Sequence, residues 1–131
     1  MEIYHIFAIK KEVYKAYKNK QYSLYKLLYN LYNLNKSDLK YGITLYNQIC
    51  TPINKKVLEQ YIELINHRKG NNKYMISENK NISIIIIKPS NIIYKTNGIS
   101  KNIAYILNNY YNHLFICNFK QKEYKWLNNI E

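Results

Sequence analysis

Residues Glu2 to Ile9 alternate, with Ile3, His5, Phe7 and Ile9 on one side and Tyr4, Ile6 and Ala8 on the other. Both sides are largely apolar, which predicts a strand inside a sheet covered on both sides or mostly so, and a strand beginning at residue 2 needs neighbours on both edges. The period then changes. Lys10 to Lys20 places Val13, Ala16 and Tyr17 at i, i+3, i+4 with Tyr14 beside them, and lysines cover the rest. Gln21 to Tyr32 repeats the pattern with Leu24, Leu27, Leu28 and Leu31 on one face and Tyr22, Tyr25, Tyr29 and Tyr32 on the next. Two helices are expected there, the leucines facing a core and the tyrosines either edging it or meeting a partner. Asn33 to Lys40 is a polar connection. Tyr41 to Ile49 alternates and is read as a strand, although Leu39, Ile43 and Tyr46 also suit a helix. Thr51-Pro52 ends it.

The second half is read in the same way. Asn54 to Lys69 is a helix capped by Asn54, with Val57, Leu58, Tyr61, Ile62, Leu64 and Ile65 as its apolar face. Gly70-Asn71-Asn72 closes it. Lys73 to Glu78 and Asn81 to Lys88 form a hairpin, and the run Ile84 to Ile87 predicts a strand covered on both faces. After Lys88-Pro89-Ser90, Ile92 and Ile93 add a short extended piece. Ser100 caps a helix to about Tyr111, with Ile103, Ile106 and Leu107 inward. His113 to Phe119 and Tyr124 to Leu127 are strands joined by a polar turn. The expected order is β-α-α-β-α-β-β-α-β-β. This is an α+β fold over residues 1–131, one small domain with a mixed or antiparallel sheet and helices packed on it.

Composition narrows the class. The chain has 131 residues, and 47% of them are hydrophobic, enough for one core. Apolar runs such as Ile84 to Ile87 fall far short of the roughly 20 residues that span a bilayer. The start of the chain has no charged segment followed by an apolar one, so no secretion signal is expected. A cytoplasmic, monomeric protein with no membrane association is the expectation. Lys and Arg total 20 against 8 Asp and Glu, a net charge of +12. Arg68 is the lone arginine, while 16 residues are Tyr and only 3 are Gly. Lys, Asn, Ile and Tyr all have AT-rich codons, so drift and selection for a basic surface both account for the charge. Direct binding of nucleic acid, through lysine clusters with tyrosines stacking on bases, is one reading of it.

Catalytic constellations are not visible. Three glycines leave no phosphate-cradling loop. Asp38 is the one aspartate, and Glu59 and Glu63 are read as a solvated helix face, Glu63 pairing with a nearby lysine. His5, His67 and His113 lack ligand spacing, so neither metal nor cofactor is expected. Cys50 and Cys117 sit among apolar neighbours and read as buried thiols. Trp126 reads as a core plug. The feature that remains is the interleaving of Tyr and Lys from Tyr14 to Tyr32, which suits docking on an acidic partner.

Three segments resemble one family. The opening YHIFAIKKEVYKAYKNK, the middle QICTPI and above all the closing LFICNFKQKEYKWLNNIE are similar to the SirA family, the sporulation inhibitors of replication of spore-forming Firmicutes. The resemblance implies a small, non-enzymatic α/β protein. It implies binding to the N-terminal domain of the initiator DnaA, blocking initiation at the origin during sporulation. The family's partner face maps onto Val13 and Tyr17, with Tyr14 and Lys18 alongside, and onto Leu45, Gln48 and Asn129. Tyr17 keeps the family's aromatic character. Val13 replaces an aromatic residue, Asn129 a proline, and Leu45 and Gln48 differ in type from the family pattern.

Overall fold

The structure is a computed structural model that describes residues 1–65, 67–70 and 72–129. Seven strands form one antiparallel sheet: β1 (Glu2–Ala8), β2 (Arg68–Lys69), β3 (Lys73–Glu78), β4 (Asn81–Ile87), β5 (Ile92–Thr96), β6 (Leu114–Asn118) and β7 (Glu123–Trp126). Their spatial order is β2-β3-β4-β5-β1-β6-β7. The first strand therefore has a neighbour on each edge, β5 and β6, as expected. Ile6 and Ala8 enter one core, and Phe7 and Ile9 enter another on the opposite face.

Five helices cover the sheet: α1 (Lys11–Tyr17), α2 (Gln21–Tyr32), α3 (Leu39–Ile49), α4 (Lys55–Ile62) and α5 (Lys101–Tyr110). The first core lies under α4 and α5, where Leu58, Ile62, Ile103 and Leu107 meet Tyr74, Ile76, Ile85 and Tyr94. The second lies under α1, α2 and α3, where Leu24, Leu28 and Ile49 meet Phe7, Phe115, Cys117 and Trp126. Both predicted caps are present. The Asn54 side chain accepts from the Val57 N–H, and the Ser100 hydroxyl accepts from the Ile103 N–H.

Buried polar groups near α5 are paired in a chain. Ser83 Oγ lies 3.2 Å from the Tyr94 hydroxyl and 3.1 Å from Thr96 Oγ1. The Tyr94 hydroxyl accepts from the Ser100 N–H, and the Ser100 hydroxyl donates to Glu78. An unpaired hydroxyl in this position would cost roughly 1–3 kcal/mol.

Three segments differ from the sequence reading. Tyr41 to Ile49 is not a strand: it forms the greater part of α3, which begins at Leu39. Its alternation is a by-product of the helical pairs Leu45–Ile49 and Leu39–Ile43, and Ile49 is its one buried residue. Gly42 lies within this helix because a Cβ there would fall 2.8 Å from Leu34 Cδ1. The predicted helix Asn54 to Lys69 stops at Ile62, and Arg68 and Lys69 instead pair with Met75 and Tyr74 as an edge strand. Asn66 of that segment, and Asn71 of its closing turn, lie outside the described residues. The carboxylate that pairs is Glu59 rather than Glu63: it accepts from Lys69 at 3.1 Å and from the buried Tyr74 hydroxyl at 2.5 Å. These contacts hold the Glu59 carboxyl below the usual carboxylate range. Third, Ile84 to Ile87 is covered on one face only: Ile85 and Ile87 are buried, while Ile84 and Ile86 are half-buried.

Candidate protein-docking face

α1 contains no fully buried residue. It lies on the second core through one side only, with Val13, Tyr14 and Tyr17 half-buried against it and Lys11, Lys15 and Lys18 exposed. A short helix of this kind is held by its neighbours rather than by its own propensity. Two ties hold it. At its start the Lys10 N–H donates to the Ile49 carbonyl at the end of α3. Past its end the indole Nε1 of Trp126 donates to the Lys18 carbonyl at 3.2 Å. Trp126 is buried among the second-core residues as expected, and this bond gives it a positioning role that residue type alone did not indicate.

The three aromatic and apolar positions of α1 differ in what they can offer. Tyr14 is committed inward: its ring stacks on His113 at 4.0 Å and meets the edge of Trp126 at 4.7 Å. Val13 and Tyr17 stand one turn apart on the same helix face. Burial, and then the charge of Lys11, keep the His113 imidazole below its ordinary value, so Tyr14 rests on a neutral ring.

α3 brings Leu45 and Gln48 together. On a strand, residues three apart would point to opposite faces, whereas on this helix they are neighbours. Leu45 is half-buried against the second core and Gln48 is exposed. The α3 end is fixed beside the α1 start by the Ile9–Cys50 bridge and by the Thr51 N–H, which donates to the Ala8 carbonyl. Val13 and Tyr17 on α1, and Leu45 and Gln48 on α3, thus ride on two helices anchored to the same point. Asn129 stands apart. It is exposed in a 3-10 turn, Leu127–Asn129, whose buried Leu127 faces the first core, on the α4–α5 side of the sheet.

The tyrosine stripe of α2 is both core edge and surface. Buried Tyr25 stacks on Tyr124 at 4.7 Å, while Tyr22, Tyr29 and Tyr32 remain exposed, Tyr32 with its ring stacked on Phe119 at 4.5 Å. Lys26 lies 4.8 Å over the Tyr22 ring. Cys50 and Cys117 are fully buried free thiols, and burial pushes Cys50 up to about 12, which removes it as a nucleophile near neutral pH. Among the described residues no group of three or more His, Cys, Asp and Glu could hold a metal ion. None of the described helices is long and apolar enough to cross a membrane.

A family model described as "Sporulation inhibitor of replication protein SirA" matches residues 2–131. No curated protein matches the chain.

Proposed function

The chain belongs to the SirA family of sporulation inhibitors of replication, and from that premise we propose that it inhibits initiation without catalysis, by docking on the N-terminal domain of the initiator DnaA. It does so in the cytoplasm, as a monomer. The observation that carries the reading is that α1 is pinned at both ends, to the end of α3 by the Lys10–Ile49 hydrogen bond and to β7 by the Trp126–Lys18 hydrogen bond. A rigid face loses little entropy on binding, which is the condition for a small interface to be tight. Tyr17 is the anchor and Val13 its neighbour. Leu45 and Gln48 extend the face along α3. Tyr14 supports it from beneath. Lys18 and the other α1 lysines attract an acidic surface and act mainly on the association rate. Asn129 lies at the margin and contributes least.

The test is an NMR titration against the DnaA N-terminal domain of the same organism at about 0.15 M salt, with duplex DNA in parallel. Saturable binding with shifts confined to α1 and α3 is the expected result. Tyr17→Ala should then weaken binding by about 2 kcal/mol while the fold is retained. Normal folding with unchanged binding would sink the assignment.

A second reading has its own observation. Exposed Tyr22 and Tyr29 border a groove with Lys26 and Lys122, an arrangement that suits stacking on unpaired bases. Binding to single-stranded DNA that collapses between about 50 and 200 mM salt would favour it over the protein partner.

A further inference from the structure

The sheet has one face that the helices leave half bare. On the α1–α3 side, cover extends over β6, β7 and the end of β1 and stops at Tyr32, whose ring lies 4.9 Å from that of His5. Beyond this step the same face continues across β1, β5, β4 and β3. Cross-strand partners share a face, so the register identifies its residues. Met75 pairs with Ile84, Ile84 with Lys95, and Lys95 with Ile3. In the next row Lys73 pairs with Ile86, Ile86 with Ile93, and Ile93 with His5. Ile82 adds to the outer end. Ile3, Met75 and Ile82 are 46%, 43% and 42% exposed. β4 is apolar on both sides, and the fold fully buries one of them.

The charge on this face has one sign. Arg68, Lys73 and Lys95 lie on it. The carboxylates of the same strands lie on the other side: Glu2 pairs in register with Thr96, and Glu78 bonds Ser100 and Asn102. A second copy of this chain would set these cations against their own images, on a molecule already at +12. A nucleic acid would leave the isoleucines unburied. The complementary surface is apolar with acidic margins.

Its dimensions select the shape. Four strands at about 4.8 Å spacing and the stretch from Ile82 to Ile86 at about 3.3 Å per residue define a patch of roughly 14 by 13 Å. One helix, about 10 Å across, fills it and continues the layer that ends at Tyr32.

We infer that the open face of β3, β4, β5 and β1 is a second docking surface, distinct from the α1–α3 face, which receives an amphipathic helix of a protein partner with carboxylates flanking its apolar stripe. It does not depend on the DnaA assignment. The test uses two synthetic helices with the same leucine stripe, one flanked by glutamates and one by lysines, read by the methyl signals of Ile3, Ile84, Ile86 and Ile93. The glutamate peptide should bind with shifts at these methyls, and Lys95→Glu should weaken it about tenfold and improve the lysine peptide. Lys73→Glu, at an exposed position, serves if Lys95→Glu disturbs the thermal unfolding curve. Absence of binding, equal binding of both peptides, or shifts on α1–α3 would overturn the inference. So would self-association through this face in sedimentation, or binding to phosphatidylglycerol vesicles alone.

Discussion

The indole N–H of Trp126 reaches the Lys18 carbonyl across 108 positions of sequence and holds the end of the first helix to the last strand. Trp126→Phe keeps most of the packing and removes this bond. It should cost about 1–3 kcal/mol in denaturant unfolding. Hydrogen exchange should show the larger effect locally, with amides near Lys18 and Tyr22 losing protection before those of β1. Uniform loss across the sheet would mean that Trp126 acts only as core volume.

Leu45 and Gln48 share a helix face, so their substitutions should act alike on partner binding. Gln48→Glu places a negative charge where an acidic surface is expected to dock and should weaken binding to the DnaA domain several-fold. Asn47→Glu lies about 100° further round the helix and should leave binding unchanged. A titration of the two variants decides between the faces, since equal effects would remove α3 from the interface.

His5 and His113 are both held below the ordinary histidine value, chiefly by burial. For a base with a lowered folded value, the unfolded chain binds more protons. Stability is therefore fully present above the unfolded value of about 6.5 and is lost as the pH falls from there through the lowered folded values. Urea midpoints should decline from pH 7 to pH 5. His113→Phe preserves the stack under Tyr14 and should flatten that decline; an unaltered slope would assign the loss to other groups.

Cys50 and Cys117 should resist aromatic disulfide reagents in the native state and react on unfolding, because both thiols are fully buried and held neutral by burial. Rapid native reaction of either would show that the second core opens on that timescale.

Much of this fold is written in local pattern. Leu24 and Leu28, Leu58 and Ile62, and the caps Asn54 and Ser100 behave as their spacing dictates, because each answers to its own helix. Tyr41 to Ile49 does not, because short alternation and helical spacing coincide there, and the choice is made by contacts with the rest of the chain, Leu34 against Gly42 and the second core around Ile49. The proposed docking face was legible only in part. Tyr17 follows from residue type and family likeness, but the pairing of Leu45 with Gln48 requires the helix that the alternation obscured. The roles of Trp126 and Ile49 as anchors arise from backbone carbonyls, which no side-chain pattern reports. The open isoleucine face was visible as a two-sided apolar strand, and what the pattern could not tell was that the chain itself covers only one side.

The placement of β1 governs when the molecule can form at all. Its partners are β5 and β6, at Ile92–Thr96 and Leu114–Asn118. A chain emerging from the ribosome therefore carries Ile3 through Ile9 as an unpaired, apolar strand until most of its length has been made. Secondary structure in the helices precedes this, but the sheet's centre closes late. The α1 surface is therefore completed in a concluding step of assembly, since α1 is tied to a tryptophan at the end of β7. Fragments released early in translation carry Tyr17 without the framework that holds its helix.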